Sequence, residues 1–392
     1  MKRILFIYLV FFTHIAIGQE RTLSDSAQIS LLTCSPGEEL YSAFGHTGIR
    51  VTDFKNEFDV VFNYGTFDFE QPGFYTNFIR GRMLYCLAVD RYDNFRQQYI
   101  YEGRRVEEQI LNLNTEDKKK IFAALFENAK EENRNYRYDF FWDNCCTRPR
   151  DVFEKALGDR LTYDYTVLNS DMTMRDALKP WVANKPWVDF GFDLILGLPC
   201  EVPATPRNQT FLPSALQTLI QGATMDGKPF VQEEKVIVDL PFSPKKFEGI
   251  HPLLVTLAIM MFGLLLIFFE RWKKTHFWWF DFTLFFITGL LGTFFLGMWL
   301  FTEHYSVPKN LNVLWLLPSH LVVSFYLLRS HKSKWLSVYF ILTFVSLIIL
   351  LATWGRLPQP FNIAVLPMIV LMANRALRIF LYFKLQQIGE RK

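Results

Sequence analysis

Charge is scarce in this sequence, and cysteine is scarcer. Only 21% of the 392 residues are Asp, Glu, Lys or Arg, and the formal net charge is +3. Disordered chains and chains that coat nucleic acid carry more charge and less apolar surface, so both classes are excluded. Five cysteines in a chain of this length do not make a disulfide scaffold, and their odd number leaves at least one thiol unpaired. No CxxC or HxxxH spacing occurs, so a Cys–His zinc site has no local signature. There is also no phosphate-cradling glycine loop, internal repeat or low-complexity tract, and no metal or nucleotide cofactor is implied. What is plentiful is apolar side chain. Half the residues are hydrophobic and 40 are Phe, and the excess sits at the two ends.

At the N-terminus Lys2 and Arg3 precede an apolar run to Ile17, followed by Gly18, Gln19 and Glu20. A basic start, a short apolar stretch and small residues at the cut describe a secretory signal over 1–18; an uncleaved anchor is the alternative. Residues 19–250 mix charge, turn residues and short apolar runs as an exported soluble domain does. From 251 to 392 the chain changes character. Apolar runs at 253–269, 277–301, 311–328, 335–354 and 361–383 predict five membrane spans. Arg271, Lys273, Lys274, Arg329, Lys332, Lys334, Lys384, Arg391 and Lys392 fall on one side of these spans. The opposite loops hold only Lys309 and Arg356. That asymmetry puts the soluble domain outside and the C-terminus in the cytoplasm. Asn374, Arg375 and Arg378 interrupt the last run and call for a tilt or a packed environment. Gly289, Thr293 and Gly297, at four-residue spacing, read as a helix-packing stripe.

Within the soluble domain, short β-prone segments at 28–33, 46–52, 60–64 and 108–113 are separated by turn chemistry. Residues 114–130 read as a helix with Ile121, Leu125 and Phe126 on one face. A second helix follows Asn144 and ends at Gly158. The sum is a small α+β domain. The segment 181–222, rich in Pro, Leu and Gly, is expected only to pack near the membrane.

Two segments carry potential chemistry. In 41–51, His46 heads a β-branched strand between glycines. In 136–151, Asp143 or Asn144 is placed to cap a helix whose first turn contains Cys145 and Cys146. Unpaired N–H groups at a helix start favour a thiolate and can hold an oxyanion, and a neutral His within reach can take the thiol proton. Each piece also has a plain reading. A lone strand His is commonly a structural hydrogen bonder, and adjacent cysteines in an exported protein commonly pair with others, here Cys34, Cys86 or Cys200.

Taken together, Phe44-Gly45-His46-Thr47-Gly48, the stretch from Phe62 to Phe69 and Asp143-Asn144-Cys145 resemble the exported domain of Lnb-type lipoprotein N-acyltransferases of Gram-negative bacteria. The segment from His304 to Trp315 and the Asn374-Arg375 pair resemble the family's membrane part. The resemblance implies an α+β, permuted papain-like domain (NlpC/P60 and lecithin:retinol acyltransferase-like) followed by an all-α transmembrane bundle of about five helices. It implies Cys145 as nucleophile and His46 as base. Asn63 is the candidate for orienting His46, with Asp59 or Tyr64 as alternatives, and Cys146 stays open as a second candidate nucleophile. Tyr64, Asn144, His304, Asn310, Asn312 and Trp315 are the candidate substrate contacts, although polar residues and Trp at a membrane edge also serve as plain anchors. His320 and Pro318 are expected to face the bundle interior. The reaction implied is acyl transfer from a phospholipid, through a Cys thioester, to the α-amine of a diacylglyceryl lipoprotein, in the inner membrane with the N-terminal domain in the periplasm. A thiol hydrolase (phospholipase or cell-wall amidase) and a non-enzymatic module with a structural disulfide are the competing readings.

Overall fold

The computed structural model describes residues 23–168, 171–240, 246–329 and 334–389. The expected signal segment lies outside the described residues. Alternating apolar side chains drive the first half into an antiparallel sheet covered on both faces. Strands β1 (Gln28–Cys34), β2 (His46–Asp53), β3 (Phe58–Thr66), β4 (Leu84–Arg91), β5 (Val106–Leu111), β6 (Asn135–Arg137) and β10 (Val231–Val238) pair in the order β10-β5-β1-β2-β3-β4-β6. Ile29, Leu31, Ile49, Val51, Val60 and Phe62 point to one face, where α3 (Thr115–Ala129) and α4 (Thr147–Leu157) bury Ile121, Leu125 and Phe153 against them. The intervening Leu32, Cys34 and Val61 point to the other face, under Phe95 and Tyr99 of α2 (Tyr92–Tyr101). A seven-residue helix, α1 (Phe74–Arg80), fills the β3–β4 connection. Strands β7 (Leu161–Thr162), β8 (Thr224–Met225) and β9 (Lys228–Pro229) form a separate small sheet. Between β7 and β8 lie α5 (Lys179–Val182), α6 (Pro186–Ile195), α7 (Pro206–Gln209) and α8 (Pro213–Gln221).

The second half is helical. Four segments, Pro252–Lys273, Trp278–Phe301, Trp335–Arg356 and Ile363–Leu385, are long and apolar enough to cross a membrane. They contain α9 (Pro252–Lys273), α10 (Trp278–Phe301), α12 (Trp335–Thr353) and most of α13 (Leu366–Gly389). The fifth expected span is not one continuous helix: it is a 3₁₀ turn at Leu311–Leu314 and then α11 (Ser319–Leu327), nine residues long. Pro318, which has no N–H to donate, stands at the start of α11. Irregular backbone at membrane depth is tolerated where protein covers it, and α10 provides that cover. A Cβ added at Gly292 would lie 1.7 Å from the Leu316 carbonyl oxygen, and one at Gly289 would lie 2.1 Å from the Leu321 nitrogen. Gly297 meets nothing within 4 Å, so the packing residues are Gly289 and Gly292 rather than the expected stripe.

The charges of the last span are also accounted for. Arg375 is fully buried and forks between Glu270 of α9, at 2.8 and 3.0 Å, and Asp281 of α10, whose Oδ2 also meets His276 Nε2 at 2.6 Å. Arg378 reaches Glu270 at 3.4 Å. One guanidinium thus ties three helices near the ends of α9 and α10 that lie away from the soluble domain.

At the opposite end the two halves interlock. The carbonyls at the C-terminus of α6 have no partner within their own helix, and side chains of the membrane half take them. Asn312 donates to Asp193 O at 2.9 Å, Asn310 to Leu194 O at 2.6 Å and Ile195 O at 3.0 Å, and Gln359 to Leu196 O at 3.1 Å. Asn362 adds a 2.9 Å bond to the Asp193 carboxylate. The segment 181–222 therefore does pack against the membrane half, as a structural joint.

Removing Arg375 leaves two buried carboxylates facing each other. Arg375→Ala is expected to destabilise the protein by about 3–5 kcal/mol, seen as a lower thermal midpoint of the detergent-purified chain. An unchanged midpoint would show that the cluster is dispensable.

Candidate active site

The site forms at the end of the sheet where β2 begins and β3 finishes. The turn that delivers the thiols is held by one side chain. Asn144 Oδ1 accepts from the backbone N–H groups of Cys146 and Thr147 at 2.8 and 2.9 Å. In return the Thr147 hydroxyl accepts from the Asn144 N–H at 2.8 Å, a reciprocal pair of bonds that closes the turn leading into α4. Asn144 Nδ2 donates to Phe140 O and Phe211 O, both at 2.8 Å. Thr47 of β2 donates its hydroxyl to the Cys145 carbonyl and faces Cys146 Sγ at 3.7 Å. Gly65, at φ +87°, passes beside Cys145; a Cβ there would sit 3.4 Å from the Cys145 Cβ in a conformation that side chains disfavour.

His46, the first residue of β2, lies against the Cys145 sulfur on one side. On the other side its Nε2 meets Asn63 Oδ1 at 2.6 Å. Asn63 Nδ2 in turn donates to Asp90 Oδ2 at 3.3 Å. This relay fixes the tautomer. Asn63 presents its oxygen to the imidazole, so Nε2 carries a proton and the remaining ring nitrogen is free to take one from sulfur. Cys145, His46, Asn63 and Asp90 thus line up across the turn and strands β2, β3 and β4.

The electrostatics separate the two thiols. A hydrogen bond from Cys146 draws the Cys145 thiol well below its ordinary value; burial opposes this, and the charge and hydrogen bond of His46 add to the lowering. Cys146 is pushed well above its ordinary value, first by burial and then by its neighbour Cys145. For His46, burial pulls downward, but the Cys145 sulfur and the Asn63 side chain outweigh it and the net direction is up. The arrangement favours a thiolate on Cys145 and an imidazolium on His46. The two sulfurs stand 3.7 Å apart, and all five cysteines are free. Neither Cys145 nor Cys146 is therefore joined to another cysteine in this structure.

The expected substrate contacts divide. His304 lines a cavity of about 400 Å³ together with Arg137, Tyr138, Asp139, Trp142 and Glu303. The others turn inward. Tyr64 is buried in the sheet core with its hydroxyl on Asn128 at 2.8 Å. Asn144 is consumed by the cap. Asn310 and Asn312 are fully buried in the joint to α6, and Trp315 donates its indole N–H to Asn312 Oδ1 at 2.9 Å. Of the alternative orienting groups, Asp59 pairs with Arg50 at 2.8 Å. His320 is buried in the bundle, its Nδ1 on the Tyr339 hydroxyl at 2.6 Å. Two residues that matter here were not singled out by sequence reasoning. Thr47 lay inside a motif already noted, and Asp90 required recognising β4 and its pairing with β3.

The Lnb N-terminal periplasmic domain matches residues 16–178 and the Lnb transmembrane domain matches residues 244–387. The chain belongs to the Lnb-type family, with a periplasmic N-terminal domain and a transmembrane C-terminal domain. No curated relative and no solved structure matches it significantly.

Two outcomes follow from this geometry. An ordinary thiol loses its thiolate below about pH 8.5; alkylation of Cys145 by iodoacetamide should instead stay fast through neutral pH and fall only as the lowered thiol is protonated. His46→Ala should move that fall to higher pH, and an unmoved profile would remove His46 from the site. Asn312→Ala strands buried carbonyls worth about 1–3 kcal/mol, so the amount of folded protein in the membrane should drop. A normal amount with reduced turnover would return Asn312 to substrate contact.

Proposed function

We propose that this member of the Lnb-type family is an inner-membrane lipoprotein N-acyltransferase that works through a thioester on Cys145. The observation that carries the reading is the contact between His46 and a Cys145 thiol held well below its ordinary value. A thiolate poised against an imidazolium is the resting form of a nucleophile with its acid already charged.

In the first half-reaction the Cys145 sulfur attacks an ester carbonyl of a phospholipid. The carbon–sulfur bond forms, the bond to the glycerol oxygen breaks, and the His46 imidazolium gives that oxygen its proton. A lysophospholipid leaves. In the second half-reaction the α-amine of a diacylglyceryl lipoprotein attacks the thioester. The amide bond forms, the carbon–sulfur bond breaks, and the now neutral His46 takes the amine's proton, which restores the starting pair. The N–H groups of Cys146 and Thr147 are engaged by Asn144, so the backbone N–H of Cys145 is the candidate donor to the oxyanion. Asn63 and Asp90 keep the imidazole turned toward sulfur through both proton transfers.

The order of a His strand before a Cys turn that leads into a helix supports a likeness to permuted papain-like thiol enzymes. The cavity beside His304 would admit polar parts of the donor or acceptor, since Arg137 and His304 face Glu303 and Asp139 within it. Anchoring by the spans supports transfer over hydrolysis: both substrates are membrane-bound, and a tethered thiol meets them at high effective concentration. The contact of Arg375 with Glu270 supports a cytoplasmic C-terminus, because Glu270 lies at the far end of α9 from the periplasmic domain.

Mass spectrometry of lipoprotein N-termini tests the reading. Cells whose only copy carries Cys145→Ser should lose the amide-linked chain, and purified wild-type protein should release lysophospholipid only when a diacylated lipopeptide is supplied. Lysophospholipid and free fatty acid without lipopeptide would identify a hydrolase. An acyl group recovered on Cys146 would assign the nucleophile to the other sulfur.

A further inference from the structure

Several aromatic side chains of the periplasmic domain are exposed, and one set of them is clustered. Tyr41, Phe69, Tyr75, Phe78 and Ile79 are each at least half exposed, and they cluster around α1. Tyr75, Phe78 and Ile79 are turned outward from this short helix, while Phe74 packs inward on Phe67 and Phe69. The same helix is pinned to the outer end of a membrane span. Glu303, just after α10, donates its backbone N–H to Arg80 O at 2.9 Å, and its carboxylate pairs with Arg82 at 2.6 Å and Arg137 at 2.5 Å. Gly81, at the end of α1, sits so close to His304 that an added Cβ would be 2.6 Å from its nitrogen. These contacts hold the C-terminal end of α1 beside the end of α10 nearest the soluble domain, where Phe301 and Tyr305 are also exposed.

From that face a column of stacked rings runs inward. Phe74 stacks on Phe67 at 5.9 Å, Phe67 on Tyr85 at 4.7 Å, and Tyr85 on Tyr138 at 4.3 Å, all within 27° of parallel. Tyr138 ends the column beside Gly65 and the Cys145 turn. We propose that α1 lies in the outer leaflet and that the Phe74–Phe67–Tyr85–Tyr138 column is a wall along which one acyl chain of a diacyl phospholipid is led from the bilayer to Cys145. An exposed apolar helix at a headgroup boundary is stable in lipid and unfavourable in water. A flat aromatic wall accepts a flexible chain without demanding a fixed register. The inference rests on the acyl-donor half of the proposed function and adds the route by which the donor arrives.

Photo-crosslinking tests the route independently of turnover. The full chain is placed in nanodiscs made of phospholipid carrying a diazirine near the end of one acyl chain. Labels are expected on α1 and on Tyr85 or Tyr138 as well as on the spans. Labels confined to the spans would overturn the proposal and leave this face for a protein partner. A second measurement uses Tyr75→Ser with Phe78→Ser, two exposed positions. The ratio of Cys145 acylation by vesicle phospholipid to acylation by a short water-soluble ester should fall about tenfold or more, given the apolar contact removed. An unchanged ratio would also reject the wall. If wild-type Cys145 accepts acyl groups from neither donor while α1 is still labelled, the proposed reaction fails and the lipid-facing surface stands.

Discussion

The Asn144 carboxamide is the constraint on which the site depends. It is the only kind of side chain that can do both of its jobs at once. Its oxygen takes two backbone N–H groups at the start of α4, while its nitrogen gives two protons to carbonyls of neighbouring loops. An aspartate would accept but not donate, and a serine would be too short to span both sides. With that side chain in place the backbone path through Cys145 and Cys146 is fixed, and the two sulfurs inherit different surroundings. One meets an imidazole and a donor thiol; the other is closed off in the core. Adjacent and chemically identical groups are thereby given different acidities by position alone.

The same economy governs how the two halves of the protein meet. Helix ends have unsatisfied carbonyls, and a membrane loop has few partners for its polar groups. Joining the C-terminus of α6 to Asn310, Asn312 and Gln359 settles both needs. On the other side, Glu303 is shared between Arg82 and Arg137. These two attachments tie the domain that carries the thiol turn to the ends of the apolar helices. In the proposed reaction, where donor and acceptor would both sit in the bilayer, that placement would matter to the rate as directly as the acid–base pair.

Much of the fold was legible in the sequence because its signals are local. Period-two alternation located β1, β2, β3 and β5 to within a few residues, and Asn114 and Gly158 marked the helix start and end that they form. Strand β4 and helices α1 and α2 escaped because their residues are partly exposed, which blurs periodicity. In the site, His46, Asn63 and Cys145 were chosen from motifs, and the structure brings these three together. Asp90 depends on a strand pairing that no short motif encodes. The membrane half shows the reverse failure. Hydropathy weighs side chains and is blind to backbone hydrogen bonds, so a broken segment around Pro318 reads like a continuous span. For the same reason the Asn residues of the outer loop suggested substrate contacts or interfacial anchors, when their amides are consumed by a neighbouring helix end.

The ionic knot around Arg375 has a consequence for how such a chain comes to exist. Translation delivers Glu270 and Asp281 to the bilayer about a hundred residues before their counter-ion is made. Until Arg375 arrives, the early helices hold two acids that lipid will not solvate, and they must wait at the boundary, with protons or with the insertion machinery. The last helix therefore acts as a closing key: only a chain that extends past Arg375 supplies the guanidinium that both acids share.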